Sequence, residues 1–189
     1  YEGDFDMGYD SLRVLRFESL KEQGLIPQKA TLPPRLDYIT PWKDLSEEEK
    51  RIEARKMELY AAMVDNLDYH VGRIIQFLKV EGLYDNTIII FMSDNGAAGR
   101  DFYNEEWSMG FIRKHYDNAY DNMGKVNSFV SYGSQWALAG AAPFNRFKSY
   151  TTEGGIASPM IISSKNIADP GTVSTAYFTV MDLAPTFYE

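Results

Sequence analysis

The chain has 189 residues, 44% of them hydrophobic, and no cysteine. That is enough for one domain with a real core, and it excludes a disordered chain, a disulfide framework and a Cys nucleophile or thiolate ligand within these residues. A net charge of −8 argues against nucleic acid as the main partner, because phosphate binding needs a basic surface, and no apolar run approaches the length of a membrane span.

The chain opens on the acidic Tyr1-Glu2-Gly3-Asp4-Phe5-Asp6, which lacks the basic and apolar regions of a signal peptide and leaves the compartment open. Residues 8–23 read as a helix, with Leu12, Leu15, Phe17 and Leu20 on a loose three-to-five spacing. Gly24 suits its C-terminal cap, and Pro27 stops it. Residues 28–45, with Pro33, Pro34 and Pro41, form a loop.

A second helix starts at Ser46. Ser46 with Glu49 makes a capping box, and Glu47, Glu48 and Glu49 suit the positive end of a helix. Ile52, Leu59, Met63, Leu67, Val71, Ile74 and Leu78 then trace one apolar stripe, and the helix should end near Gly82. Asp85-Asn86 makes a turn, and Thr87 to Met92 follow as a strand whose unbroken apolar run points to burial on both faces, as in a parallel sheet. Residues 97–147 read as irregular and aromatic, with a helix around Trp107–Arg113. Met160-Ile161-Ile162 reads as a second buried strand, and 177–188 as helical.

The strand at Ile88 to Met92 stops at Ser93-Asp94-Asn95-Gly96. Taken locally, this is turn chemistry: Asp caps, and Asn and Gly tolerate positive φ. A helix, a buried strand and polar residues at its carboxyl end are nevertheless α/β order, in which ligand sites collect beyond strand ends. His70 and His115 are the only histidines, and both read as structural. Tyr116, Asp117, Tyr120, Tyr132 and Trp136 offer a pocket lining, although aromatics at this density more often pack a loop onto a core.

At "DNTIIIFMSDNGA" (Asp85 to Ala97) the chain resembles the type I sulfatases of the alkaline phosphatase superfamily. "YEGDFDMGYDSLRVLRFESLKEQGLIP" (Tyr1 to Pro27) and "MELYAAMVDNLDYHVGRIIQFL" (Met57 to Leu78) resemble the arylsulfatase segment before the long helix and that helix itself. "HYDNAYDNMGKVNSFVSYGSQWALAGAAPF" (His115 to Phe144) and "FKSYTTEGGIASP" (Phe147 to Pro159) resemble later active-site loops, and "STAYFTVMDLAPTFYE" (Ser174 to Glu189) the helix that follows.

The resemblance implies a partial alkaline phosphatase-like α/β fold with a mostly parallel sheet flanked by helices. It implies that residues 1–189 are the later part of a sulfatase catalytic domain, without the C-terminal subdomain and without the early "C/S-x-P-x-R" motif whose Cys or Ser becomes formylglycine. The implied reaction is hydrolysis of a small-molecule sulfate ester by a formylglycine hydrate from the missing N-terminal part. Asp94 and Asn95 would be ligands of one Ca²⁺ ion, alongside two aspartates from that part; carboxylate and amide oxygens suit a hard cation. Lys148 lies five residues before Glu153 of Glu153-Gly154-Gly155, the family spacing for a lysine that contacts the substrate sulfate, with Arg146 a nearby rival. Read alone, Lys148 is a solvated surface lysine. The family's "I-R-x-P" is replaced by Ile156-Ala157-Ser158-Pro159, so one supporting arginine is lost.

Two other readings stand beside this one. Phosphonate monoester and phosphodiester hydrolases of the same superfamily tend to have Asp-His where this chain has Asp94-Asn95, and an amide oxygen favours calcium over borderline metals. A truncated, non-catalytic sulfatase domain is the alternative outside enzymes.

Overall fold

The computed structural model describes residues 1–188, and the side chains of all of these but Ser108 and Met109. Helix α1 spans Gly8–Glu22 and helix α2 spans Glu47–Val80. The capping box forms as expected: the Ser46 hydroxyl accepts from the Glu49 amide at 3.3 Å, and the Glu49 carboxylate accepts from the Ser46 amide at 2.8 Å. Both helices end in the same way. Leu25 and Leu83 donate back to Leu20 and Leu78 at 2.9 Å, while Gly24 and Gly82 take left-handed φ, the six-to-one closure of a glycine cap.

Strand β1 is Ile89–Met92. Helix α3, Glu106–His115, covers the expected Trp107–Arg113. Helix α4 is Gly133–Gly140, α5 is Glu153–Ile156, β2 is Met160–Ser163 and α6 is Leu183–Tyr188. A 3-10 turn at Trp42–Asp44 is the one regular piece inside the expected 28–45 loop.

The core gathers around Trp136. It is fully buried and meets Phe5, Tyr9 and Trp42 edge-on at 6.0, 5.5 and 6.0 Å. Such aromatic pairs each add about 0.5–1.5 kcal/mol beyond the area they bury. The indole N–H donates to the Glu53 carbonyl at 3.0 Å, so a buried donor is satisfied and α4 is tied to α2. Gly8 lets α1 begin here: its φ is +79°, and a Cβ would lie 2.2 Å from the Trp42 ring. On α1 the residues buried after Gly8 are Tyr9, Arg13 and Phe17, a stripe at spacings of four. Leu15, placed in the expected stripe, is 56% exposed.

The apolar stripe of α2 is covered only near its start. Ala54, Met57 and Glu58 are buried, while Met63, Leu67 and Ile74 are exposed. The reason is length: 34 residues make a helix of about 50 Å, whereas the 15 residues of α1 reach about 22 Å. Neighbours of that size cover only the first turns.

The expected mostly parallel sheet is not what the described residues form. They give one two-stranded sheet, and β1 pairs with β2 antiparallel, with Ile89 opposite Ser163 and Met92 opposite Met160. The strands are also less buried than expected, with Phe91 45% and Ile161 63% exposed. An apolar run reports that faces are suited to burial; it carries no information about strand direction.

Candidate active site at the end of strand β1

The turn after β1 is built by Ser93 rather than by Asp94. The Ser93 hydroxyl donates to the Asn95 carbonyl at 2.9 Å, and the Ser158 hydroxyl donates to the Ser93 carbonyl at 2.7 Å. The Asp94 carboxylate and the Asn95 amide take no hydrogen-bond or ion-pair partner among the described residues, and Asp94 is exposed while Asn95 is half-buried. The simple turn reading has Asp94 capping its own backbone. Here that duty falls to Ser93, and both oxygen-bearing side chains are left for something else.

Three stretches of backbone meet at this turn. The Gly96 amide donates to the Gly155 carbonyl at 2.9 Å, and the Lys148 amide donates to the Ala97 carbonyl at 2.9 Å. Glycine is required where they touch. A Cβ on Gly96 would lie 1.9 Å from the Gly154 carbonyl oxygen, and one on Gly154 would lie 2.3 Å from the Arg146 carbonyl oxygen. The pattern Glu153-Gly154-Gly155 is thus a close-packing device that lets α5 sit directly against the strand end.

These contacts bring the backbones of the three sequence-selected residues, Asp94, Asn95 and Lys148, into one layer. Phe147 is buried and Lys148 exposed. The segment is bracketed by left-handed φ at Arg146 (64°) and Ser149 (81°), uncommon for residues with a Cβ. That geometry turns Phe147 inward, under Gly99, and Lys148 outward. No ion pair among the described residues engages Lys148.

Other sequence candidates resolve as packing. Tyr132 stacks on Tyr60 at 4.7 Å, Tyr120 lies under the Arg51 guanidinium at 3.6 Å, and Tyr116 packs on Phe129 at 5.2 Å. Asp117 accepts from the Ala119 amide at 2.8 Å. His70 and His115 are both exposed, one beside Arg73 and the other against Phe111, and neither joins the strand end.

Sequence reasoning missed one cluster. The Tyr38 hydroxyl lies 3.4 Å from that of Tyr150, 112 positions away. Tyr38 and Ser134 line a cavity of about 280 Å³ that also touches Tyr9, Thr40, Glu49 and Gln135. Ser134 donates to the Gly99 carbonyl at 2.8 Å, and Gln135 to the Glu53 carboxylate at 2.5 Å. No spacing signal links Tyr38 to Tyr150; only the fold does.

The family model "Sulfatase" matches residues 18–189. This chain belongs to the sulfatase family. Along its full length it is 43% identical to an uncharacterized sulfatase of Schizosaccharomyces pombe and 37% identical to an arylsulfatase of Klebsiella aerogenes. It is also 28% identical, over 82% of its length, to a sulfatase of Formosa agariphila. The chain spans 34%, 40% and 23% of these relatives, respectively.

The sulfatase chain offers a hard cation a carboxylate and an amide oxygen. Calcium takes about six to eight oxygens, and among the described residues no group of three His, Cys, Asp or Glu side chains is placed to hold a metal. The donor types fit calcium, but their number fits only a share of its shell. Where the resemblance expects the arginine of "I-R-x-P", the chain has the exposed Ala157, and the following Ser158 is tied to Ser93.

Proposed function

We propose that the full-length protein hydrolyses sulfate esters, and that residues 1–189 are the later part of its catalytic domain. In this reading Asp94 and Asn95 bind a calcium ion, and Lys148 binds the ester sulfate. The observation that carries it is the freedom of these side chains inside a fixed backbone. Asp94, Asn95 and Lys148 stand on segments locked by the Gly96–Gly155 and Lys148–Ala97 hydrogen bonds, yet none uses its side chain to hold the fold.

When bound, calcium supplies positive charge against the sulfate oxygens, and a formylglycine from outside these residues supplies the nucleophile. The chain's own share is binding and electrostatics. Asp94 brings the negative charge that attracts the cation. Asn95 brings a neutral oxygen, so the cage does not become too negative. The Lys148 ammonium, aimed out from a stiff segment, donates to a sulfate oxygen and opposes the charge that grows as the sulfur–oxygen bond to the alcohol breaks. The substrate is a small sulfate ester, and no described helix is long and apolar enough to cross a membrane.

The test is hydrolysis by the full-length protein of 4-nitrophenyl sulfate beside phenyl phosphonate and phosphodiester analogues. Preference for the sulfate ester, with calcium in the purified protein, is expected. Preference for the phosphorus esters would favour the superfamily alternative, and no turnover of any ester would favour a non-catalytic domain. The 189-residue chain by itself should be inactive, because it has no Cys and no Ser within a "C/S-x-P-x-R" motif.

A further inference from the structure

Arg146 shares the situation of Lys148, two residues away. It is exposed, and no ion pair among the described residues engages it. Two unpaired cations this close make a local positive spot on a chain of net charge −8. The backbone also fixes its place. Its φ of 64° is left-handed, and such a conformation on a non-glycine residue persists only where the surroundings enforce it. The Arg146 carbonyl is packed against Gly154, whose own carbonyl abuts Gly96. Arg146 therefore stands one backbone layer from the turn that carries Asp94 and Asn95.

Its side chain is oriented too. The guanidinium carbon lies 4.6 Å from the centre of the Tyr150 ring. The Tyr150 hydroxyl faces that of Tyr38, and Tyr38 borders the cavity beside Ser134. Contacts thus run from Arg146 through the paired phenols to the border of that cavity, whose lining also carries Glu49 and Glu53, so an anionic group is placed at Arg146 and not inside the cavity.

We propose that Arg146, with the Tyr38 and Tyr150 hydroxyls, forms a specificity subsite for an anionic substituent on the alcohol half of the sulfate ester. This rests on the sulfatase reading above and adds to it a substrate class: esters that carry a second negative group. The guanidinium presents several N–H donors in a plane and matches a carboxylate or a second sulfate in a bidentate way. The ring beneath it restrains that plane and leaves the outer edge free. The neutral phenols donate to the same group or to neighbouring hydroxyls, so the subsite reads charge and position together.

The test compares kcat/KM of the full-length protein for 3-carboxyphenyl sulfate and 3-carbamoylphenyl sulfate, which are close in shape and differ in charge. The carboxylate ester should be preferred roughly fivefold, chiefly through KM, a size suited to an exposed charge contact. Arg146→Gln should bring the ratio to about one, and Arg146→Lys should keep part of it. Should Arg146→Gln fold poorly, the parent serves alone: the preference should fade as salt rises, because exposed pairs are screened. A parental ratio near one, a ratio unchanged in Arg146→Gln, or an equal loss on both esters would each overturn the subsite. The last would assign Arg146 to the sulfate itself. Failure of the parent to hydrolyse either ester would instead bring down the sulfatase reading on which the subsite stands.

Discussion

The Gly96 amide donates to the Gly155 carbonyl at 2.9 Å, with no side chain between the two backbones. Residues 59 positions apart thereby hold the Asp94-Asn95 turn and the Lys148 segment in a single layer. Gly96→Ala should test this contact directly. The added carbon would lie 1.9 Å from a backbone oxygen, and backbone cannot swing aside as a side chain can. A loss of about 3 kcal/mol, at the upper end for overpacking, is expected in urea unfolding. An unchanged midpoint would mean that the turn has room to relax.

Lys148→Ala in the full-length protein should lower turnover far more than stability. Removing one donor aimed at developing charge costs on the order of 10²–10³ in rate. The thermal midpoint should move little, because the side chain holds nothing in the fold. Near-parental turnover would return Lys148 to the ordinary surface lysines.

Metal content checks Asp94 and Asn95 independently of activity. Asp94→Ala should weaken calcium binding and abolish turnover, while Asn95→His should shift preference towards Mn²⁺ or Zn²⁺ as imidazole replaces an oxygen donor. Elemental analysis of the parent and both variants decides it. Full calcium in Asp94→Ala would remove Asp94 from the cage.

Alkaline pH should expose the buried phenols. Burial, with the stacked Tyr60 adding to it, pushes the Tyr132 phenol up to about 12, against about 10 in an unfolded chain. The folded state therefore keeps its proton longer. This contribution to stability is whole below pH ~10 and is lost as pH rises towards the folded value, a change on the order of 2 kcal/mol. Urea midpoints at pH 8, 10, 11 and 12 should be flat at first and then fall, less steeply in Tyr132→Phe. A slope that is the same in both proteins would place the alkaline loss elsewhere.

Local signals are legible in the sequence. Ser46 with Glu49, Gly24 and Gly82 marked helix ends that form as expected, because caps are decided by nearest neighbours along the chain. The strand at 89–92 and the turn that follows it are legible for the same reason; the roles assigned to Asp94, Asn95 and Lys148 come from the family resemblance and stand as proposals. Non-local facts are not legible. Neither the antiparallel pairing of β1 with β2 nor the bare outer length of α2 follows from an apolar pattern, since each depends on which elements come alongside. Tyr38 and Tyr150 meet only once the 28–45 loop has folded over α4, and no periodicity records that. The part that Ser93 plays in the turn has no mark in the sequence, because Asp is the commoner turn-capper.

The β1–β2 ribbon has two open sides. Among the described residues, no further strand adds to Ile89–Met92 or Met160–Ser163, and a lone pair of strands is marginal in water. The segment that carries Asp94 therefore takes its stiffness from the Gly96–Gly155 and Lys148–Ala97 hydrogen bonds rather than from a wide sheet. Precision at the Asp94 carboxylate becomes a property of that backbone seam and not of the sheet. A substitution at Gly155, remote in sequence, would be felt there as a displaced carboxylate. An uncovered apolar edge also invites strangers, so any cover over the outer edges of this ribbon guards against aggregation.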